Sequence, residues 1–320
     1  MKPKRGSSHR RGLLVYNPTA GQRNRRDQMN ALIDRQRRHG LELVNAPTTG
    51  VGDATEIVRS FLPQGLDLVA VCGGDGTISE AACGLEGSEV PLAILPGGTS
   101  NVLARELQIP LDLDAAEGLL QGGAPSPVRF AHADGRPFLL WAGAGLDARV
   151  MGNMNLKLKR WLGRTGISLT AMTEFLRYEF PRLEVVIDGV AHQATFAVVC
   201  RASRYAGDWI IAPEARLDGE MLDVMLFSRR SHLDLLRLFR QMRQARSEHL
   251  ENGLSRIVRG REVEIRSLEP YPVEVEVDGD CVLETPIRCR VGTQTVNILV
   301  PKPVDWLEPP VQGGVAALTG

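Results

Sequence analysis

Short apolar runs alternate with amphipathic stretches through the first third of the chain. The runs LLVYN (13–17), DLVAVC (67–72) and PLAIL (91–95) have the length and the branched composition of buried strands. Residues 24–39 repeat their apolar positions at helical spacing, and Asp53 could cap a second helix. Short apolar strands that alternate with helices predict a parallel sheet with helices on both faces.

The pattern becomes rich in strands after residues 121–128, where QGGAPSPV interrupts the alternation of strands and helices. Several later segments alternate apolar with polar residues, as VEVEV does at 273–277. Asp-Gly pairs that suit tight turns stand at 188–189, 218–219 and 278–279. Helical patterns interrupt the strands near residues 158–178 and 231–249. The second half of the chain is therefore predicted to be an antiparallel β-sandwich.

We predict an α/β plus β fold, with an N-terminal three-layer α/β/α domain around a parallel sheet and a C-terminal antiparallel β-sandwich domain. A length of 320 residues also fits two domains. The predicted divisions are a basic tail (1–11), the α/β domain (12–125), the β-rich domain (126–300) and a C-terminal tail (301–320). This tail, or the strand TVNILV before it, could pack back on the first domain.

Composition narrows the class of protein. Lys plus Arg and Asp plus Glu both number 38, so net charge argues neither for nor against an anionic partner, and we expect no nucleic acid partner. The five cysteines lack CxxC spacing, which favours buried thiols in a reducing compartment. No run approaches the ~18 apolar residues of a membrane span, and the basic start lacks the apolar segment of a secretory signal. These features predict a cytoplasmic protein.

Three turns of the first domain share one design, in which a strand runs into a loop rich in Gly, Thr or Asn and a helix follows. They are VYNPTAGQRNRR (15–26), VCGGDGTISE (71–80), whose helix is predicted to begin near Ile78, and ILPGGTSNVLAR (94–105). In an open parallel sheet such loops cluster outside the carboxyl ends of the strands, where ligands bind. Glycine lets the backbone approach a phosphate, and helix N-termini supply N–H donors. One such turn is usually structural, whereas three together favour a phosphate site.

Charge at these loops limits what they can bind alone. None of the three matches GxxxxGK[ST] or contains lysine, so a bound triphosphate would need a divalent cation and nearby arginines. Asp75 stands beside the glycines of the second loop. Its carboxylate would repel phosphate unless it meets Mg²⁺ or a proton in transfer.

The motif GGDGT, with NPTAG upstream and PGGTSN downstream, resembles the catalytic domain of the diacylglycerol kinase family, which includes bacterial lipid kinases and the sphingosine and ceramide kinases. Further motifs in the family's order are AGAGLDARV, YAGDWIIAPEARLDGEMLDVMLF and VEVDGD, so the resemblance covers about residues 12–300. GGDGT alone is shared with NAD kinases and phosphofructokinase-like enzymes. The TPTGSTAY-like stretch of NAD kinases is missing.

The resemblance implies ATP and Mg²⁺ as cofactors, a nucleotide-binding first domain and a lipid-binding second domain. Residues that would line the nucleotide are Asn17, Pro18, Thr19, Ala20, Gly21, Thr48, Gly98 and Thr99. Residues that would hold its phosphates are Gly73, Gly74, Asp75, Gly76, Thr77, Ile78, Ser79 and Glu80, with Asp75 at the metal-linked centre. A structural Mg²⁺ would be bound by Asp218 and by the backbone carbonyls of Ala215 and Glu220.

Asp280 takes the place of the family's catalytic proton acceptor. The family usually has Glu at this position, so the carboxylate here is one methylene shorter, and Asp278 is an alternative base. Many members also carry Asp after the third loop, where this chain has Val102. The loss of that acid leaves open whether diacylglycerol itself is the substrate.

We therefore predict an ATP- and Mg²⁺-dependent lipid kinase that phosphorylates a hydroxyl of diacylglycerol, ceramide, a sphingoid base or a similar membrane lipid, in phospholipid biosynthesis. Two alternatives stay open: an NAD-kinase-like enzyme with a soluble substrate, and a non-catalytic regulator that binds lipid or nucleotide. A lipid substrate implies peripheral membrane contact, for which the basic amphipathic stretches 157–164 and 235–246 are candidates. A homodimer is left open.

Overall fold

The computed structural model describes residues 10–18, 25–152, 172–244, 250 and 252–302. Within them the helices are α1 (Arg25–Arg38), α2 (Asp53–Phe61), α3 (Asp75–Gly84), α4 (Val102–Glu106), α5 (Leu113–Glu117), α6 (Leu119–Gly122), α7 (Leu146–Gly152) and α8 (His232–Arg243), with a helical segment at 172–176. A short 3₁₀ turn, Leu62–Gln64, follows α2.

The strands in the first half are β1 (Arg10–Tyr16), β2 (Leu41–Pro47), β3 (Leu68–Gly73), β4 (Leu92–Pro96), β5 (Ala124–Ala133), β6 (Arg136–Phe138) and β7 (Trp141–Ala144). Those in the second half are β8 (Leu183–Ile187), β9 (Val190–Ala194), β10 (Phe196–Cys200), β11 (Arg204–Tyr205), β12 (Trp209–Ile210), β13 (Leu222–Phe227), β14 (Arg256–Gly260), β15 (Glu262–Ser267), β16 (Glu274–Val277), β17 (Asp280–Glu284) and β18 (Ile287–Val300).

Four parallel strands in the order β2-β1-β3-β4 form the first part of a ten-stranded sheet. Helices α1, α2 and α3 pack against β2, β1 and β3. The residues from Leu68 to Cys72 on β3 are completely buried, as expected for a strand covered on both faces. The predicted α/β domain with a parallel sheet is confirmed.

The long strand β18 joins this parallel sheet to the strands of the second half. It pairs in parallel with β4 at Ile298 and Leu299, and antiparallel with β5 and β15. The apolar segments PIRCRVG (286–292) and TVNILV (295–300) both belong to this one strand, with a shift in register between Val291 and Thr295. The last described strand therefore lies in the sheet of the first domain.

A second sheet has the antiparallel order β14-β13-β10-β7-β16-β17. It faces the antiparallel part of the first sheet, in which β18, β15, β8 and β9 are neighbours. Alternate apolar residues of both sheets form one buried cluster between them, including Val185, Val263, Val199 and Val275. This arrangement is the predicted antiparallel β-sandwich. The predicted domain boundaries stay a prediction.

Helix α3 begins earlier than the sequence pattern predicts. Its first residue is Asp75 with Gly74 at the N-cap, and the prediction of a start near Ile78 was wrong. The Ile78 N–H donates to the Gly74 carbonyl at 3.0 Å, which closes the first turn.

The prediction that Asp53 caps helix α2 was also wrong. Gly52 occupies the N-cap position with φ 88° and makes no side-chain bond. The Asp53 carboxylate instead accepts hydrogen bonds from the backbone N–H groups of Thr49 and Gly50, at 2.7 and 2.9 Å. It stabilises the loop before the helix.

Two of the Asp-Gly pairs form left-handed turns between strands. Asp188-Gly189 and Asp278-Gly279 have positive φ at both residues, of 47° and 85° and of 49° and 93°. Such angles are typical of the turn that joins two adjacent antiparallel strands. The third pair closes a different turn, in which the Gly219 N–H donates to the Arg216 carbonyl at 3.3 Å.

Among the helices that the structure describes, none is both long and apolar enough to cross a membrane. Most of the helix predicted near residues 158–178 and the basic stretch 157–164 lie outside the described residues. Helix α8 accounts for the described part of the stretch at 231–249.

Candidate active site

The second and third glycine-rich loops contact each other at the carboxyl edge of the parallel sheet. The Gly97 N–H donates to the Gly73 carbonyl at 2.8 Å. Gly98 packs so closely on Gly74 that a Cβ added at Gly98 would collide with the Gly74 Cα. Glycine is required here because any side chain would separate the two loops. Thr99 follows Gly98 in the third loop.

The first loop and the loop after β2 lie at the same edge. The Asn17 N–H donates to the Cys72 carbonyl at 3.2 Å, and the Thr48 N–H donates to the Tyr16 carbonyl at 2.9 Å. Pro18 follows Asn17. The remaining predicted residues of the first loop, Thr19, Ala20 and Gly21, lie outside the described residues. The described part of the predicted nucleotide site is thus gathered at one edge of the sheet.

The N-terminus of α3 offers donors at this edge. The N–H groups of its first turn, Asp75 to Thr77, precede the first bond within the helix. The space beside Gly76 is open, with no atom within 4 Å of where a Cβ would stand. A helix N-terminus with open space beside it suits an anionic group such as phosphate.

Asp75 lies between α3 and α4. One of its carboxylate oxygens accepts the Leu103 N–H at 3.2 Å, at the start of α4. Burial raises the pKa of Asp75, and the negative charge of Asp278 adds to the rise. The two carboxylates are therefore close enough to interact, although they come from different domains.

Asp278 is a buried link between α3 and the second domain. Its oxygens accept hydrogen bonds from the Ser79 hydroxyl (2.6 Å) and from the N–H groups of Leu139 (2.8 Å), Leu140 (2.8 Å) and Trp141 (3.1 Å). Burial raises its pKa, while these donors act in the opposite direction. A carboxylate with four donors has little capacity left to accept a substrate proton, which disfavours Asp278 as the base.

Asp280 is more accessible and begins β17. Its side chain is 34% exposed, and its Oδ2 atom lies 3.4 Å from Nη2 of Arg136 on β6. The Asp280 charge contributes to a raised pKa of Glu80 on α3, for which burial is the main cause. Asp280 therefore lies across the domain junction from the helix that begins at the glycine-rich loop.

Glu80 has a structural contact besides its predicted role at the phosphates. Its two carboxylate oxygens accept the backbone N–H groups of Gly52 at 2.8 Å and Ala54 at 3.3 Å. These donors belong to the start of α2, where a negative charge stabilises the helix dipole. Glu80 thus connects the loop after β2 with α3.

The side chain predicted to bind a structural Mg²⁺, Asp218, is paired with an arginine in this structure. Both oxygens of Asp218 accept hydrogen bonds from Arg216, at 3.0 and 2.9 Å, and a metal would have to displace that guanidinium. The Glu220 side chain lies 3.5 Å from Arg261 and the Ala215 N–H donates to the Ala212 carbonyl, so neither contact occupies the backbone carbonyls predicted as ligands. Within the part of the chain that the structure describes, no three His, Cys, Asp or Glu side chains form a metal-binding group.

A buried arginine contacts the carbonyls of the same loop. Arg201 is completely buried, and its guanidinium donates to the carbonyl oxygens of Leu217 (2.7 Å), Gly219 (3.0 Å) and Met221 (2.8 Å). Burial is the main reason that its pKa falls to about 10, so the group stays protonated at neutral pH. Arg201 supplies the positive charge that these carbonyls surround.

Sequence reasoning missed Arg201, Arg136 and two buried acids, Asp147 and Glu276. Arg201 follows an apolar strand without any motif, and Glu276 alternates with valines as an exposed residue would. Asp147 carries a weak signal, because it lies in GAGLDA (143–148), which resembles a phosphate-binding turn in a context unsuited to one.

An α/β domain whose glycine-rich loops lie opposite carboxylates of a β-sandwich is an architecture suited to a two-domain kinase. Residues 11–133 match the model of the diacylglycerol kinase catalytic domain. Residues 141–300 match the YegS C-terminal NAD kinase beta sandwich-like domain. The chain belongs to the diacylglycerol kinase family of lipid kinases.

Curated relatives carry matching names. The chain is 26% identical over 277 residues to a "Diacylglycerol kinase" of Bacillus subtilis, covering 85% of this chain and 90% of that protein. It is 32% identical over 218 residues to a "Probable lipid kinase YegS-like" of Pseudomonas aeruginosa, covering 67% of this chain and 70% of that protein. These relatives identify the protein as a kinase.

The same fold occurs in a solved structure. A crystal structure of a Bacillus anthracis diacylglycerol kinase superposes with a TM-score of 0.69 at 24% identity, covering 91% of this chain and 96% of that one. The likeness spans both domains and confirms the fold class.

Proposed function

We propose that this kinase transfers the γ-phosphoryl group of ATP to a hydroxyl of a membrane lipid, with Asp280 as the proton acceptor. The observation that carries the proposal is the hydrogen bond between Ser79 and Asp278, at 2.6 Å. It joins the helix that starts at the GGDGT loop to the turn that presents Asp280. A phosphate at the N-terminus of α3 and a hydroxyl at Asp280 would then meet in one cleft.

The chemistry requires positioning, neutralisation of charge and a base. The lipid oxygen forms a bond to the γ-phosphorus as the bond to the β–γ bridging oxygen breaks, and ADP leaves. The hydroxyl proton passes to the Asp280 carboxylate. The Arg136 guanidinium lies 3.4 Å from the Asp280 carboxylate and pairs with it.

The Asp75 carboxylate at this edge of the sheet suits a nucleotide-bound Mg²⁺. Burial and the charge of Asp278 both raise the pKa of Asp75, so a divalent cation beside Asp75 would relieve an unfavourable negative charge. When bound, Mg²⁺ neutralises phosphate charge. The Asp75 carboxylate is the group that we propose to hold it, and the chain's glycine-rich loops position the phosphates.

A panel of acceptors tests this function. Purified protein is incubated with Mg²⁺, γ-labelled ATP and mixed micelles containing diacylglycerol, monoacylglycerol, ceramide or a sphingoid base, with NAD as a soluble acceptor. We expect label in one lipid class, and loss of that label in the variant Asp75→Asn. Label on NAD alone, or ATP binding without transfer to any acceptor, would contradict the proposal and favour a soluble substrate or a non-catalytic role, respectively.

We also propose that α8 docks the enzyme on a membrane. Leu233 and Leu236 on α8 have exposed fractions of 68% and 53%, whereas apolar residues on its other side are buried. The adjoining helical segment 172–176 exposes Leu176 (68%) and lies next to α8, because the Phe175 ring packs on His232 with centroids 5.4 Å apart. Exposed leucines from two neighbouring helices are suited to insertion among lipid chains.

Basic residues accompany these leucines. Arg237, Arg240 and Arg243 lie on the same helix, and the Arg237 side chain is largely exposed. This combination of apolar and basic side chains complements an anionic lipid surface. A kinase whose acceptor resides in a bilayer needs such a contact.

The double variant Leu233→Ser/Leu236→Ser is expected to bind vesicles of anionic phospholipid about 10- to 100-fold more weakly, since each leucine loses part of the ~1.5–3 kcal/mol of its burial. Cosedimentation with vesicles measures the effect. Leu111→Ser, an exposed leucine of the first domain, is the control and should bind as wild type does. Equal binding by all three proteins would exclude α8 as the docking surface.

A further inference from the structure

Two acidic side chains meet in the interior beneath the turn that carries Asp280. Glu276 on β16 is 1% exposed, and Asp147 on α7 is half-buried with its Oδ2 atom shielded from solvent. Their atoms Glu276 Oε1 and Asp147 Oδ2 flank Gly143, where an added Cβ would lie 3.2 and 2.7 Å from them. Glycine is needed at that position because both oxygens occupy the space of a side chain.

Neither of these two oxygens accepts a hydrogen bond from an N–H group or a neutral hydroxyl among the described residues. Two buried carboxylates cannot both be charged at such proximity. A single proton shared between Asp147 and Glu276 provides the missing donor for both oxygens. The pair then carries one negative charge in place of two.

In the described part of the chain, the groups that face the pair add no positive charge. They are the Tyr205 hydroxyl on β11, the Cys200 thiol on β10 and the Asp278 carboxylate in the turn. Burial is the main cause of the raised pKa of both acids. For Glu276, the charges of Asp147 and Asp278 raise the pKa further. The environment therefore retains the shared proton well above the usual titration range of a carboxyl group.

The other oxygen of Glu276 holds the turn. Its Oε2 atom accepts the Gly279 N–H at 2.7 Å. Gly279 has φ 93° and stands directly between Asp278 and Asp280. Glu276 thus links the buried proton to the backbone that places the proposed base.

We propose that Glu276 is a positioning residue for phosphoryl transfer: the proton that it shares with Asp147 fixes the Asp278–Asp280 turn, and loss of that proton displaces Asp280. This inference rests on the proposed role of Asp280. Once the proton leaves, the two carboxylates repel each other and the Glu276 side chain withdraws from Gly279.

The variant Glu276→Gln removes the titrating proton but keeps the shape of the side chain. A glutamine amide can donate to Asp147 and its oxygen can accept from Gly279, and it does not titrate. Wild type is expected to lose kcat towards alkaline pH, and Glu276→Gln should move this decline up by at least about one pH unit, each profile being scaled to its own maximum. Glu276→Ala, which loses both bonds, should lower kcat by about 10-fold or more with little change in the KM for ATP.

Glu274→Gln, an exposed glutamate on the same strand, is the matched control and should keep the wild-type profile. Identical alkaline limbs for wild type and Glu276→Gln would overturn the proposal even if all variants are active. A decrease in kcat that is equally large in Glu276→Ala and Glu276→Gln would also contradict the proposal, since the glutamine should restore the turn.

Thermal unfolding gives a readout that needs no lipid. An acid whose pKa is raised in the folded state stabilises the fold below its unfolded value of about 4.5, and this contribution is lost as pH rises through the folded pKa. The midpoint of Glu276→Gln should therefore rise relative to wild type as the pH increases from about 5. If this rise is observed but no lipid is phosphorylated, the proposed function is rejected and the proton-sharing pair is retained. If the difference in midpoint between the two proteins does not change with pH, the pair is rejected.

Discussion

Replacing Asp280 with asparagine is expected to lower kcat about 10²- to 10⁴-fold, the usual contribution of a general base. Asparagine has nearly the same shape but cannot accept the hydroxyl proton. The KM for ATP should change little, because Asp280 lies on the second domain and the nucleotide loops on the first. Initial rates at saturating lipid measure the effect.

Two variants sharpen this test. Glu284→Gln removes an exposed carboxylate from the same strand β17 and should leave kcat unchanged. Asp280→Glu restores the length of the family's usual base and should retain most of the activity. If Asp280→Asn keeps its rate while Asp278→Asn folds normally and loses it, the base is Asp278 and the assignment made here is wrong.

Replacing Arg201 with methionine is expected to cost roughly 3–5 kcal/mol of unfolding free energy, because three buried carbonyls lose their donor and each unsatisfied group costs about 1–3 kcal/mol. Methionine preserves much of the side chain's volume but leaves the carbonyls of Leu217, Gly219 and Met221 without their donors. Each unpaired buried group adds its own desolvation cost. Urea denaturation with a shared m-value measures the loss.

Arg37→Met is the control, because Arg37 is an exposed residue in a surface ion pair and should cost less than ~1 kcal/mol. The result also bears on the predicted structural Mg²⁺. If Arg201 stabilises the loop, chelation of metal by EDTA should leave the unfolding midpoint of wild type unchanged. A midpoint that falls with EDTA, together with a mild effect of Arg201→Met, would show that a metal stabilises the loop.

Much of the architecture could be predicted from periodicity. The apolar runs of β1, β3 and β4 are typical of strands that are covered on both faces. The alternating segments after residue 128 are typical of strands that are covered on one face. The glycine-rich loops were predicted as one site because parallel strands end at a common edge. These predictions concern short segments and repeated spacing, for which local sequence carries the information.

Glu276 shows where periodicity fails. Alternation in VEVEV places it on the same face as Glu274, which is exposed, yet Glu276 is buried because α7 packs against β16. Arg201 likewise stands in no recognisable motif, and its burial depends on a loop that begins more than ten residues later. The burial of a side chain depends on which element covers it, and a local pattern does not identify that element.

The fold class, the family and the place of the glycine-rich loops can be predicted from the amino-acid sequence, since each depends on neighbouring residues or on motifs in fixed order. Which carboxylates meet depends on how distant segments pack. Ser79 and Asp278 are 199 positions apart and are joined by a hydrogen bond of 2.6 Å. β18 likewise carries the chain's last described residues into the first sheet. Such contacts depend on long-range packing, in which burial and charge are set jointly by segments distant in the chain.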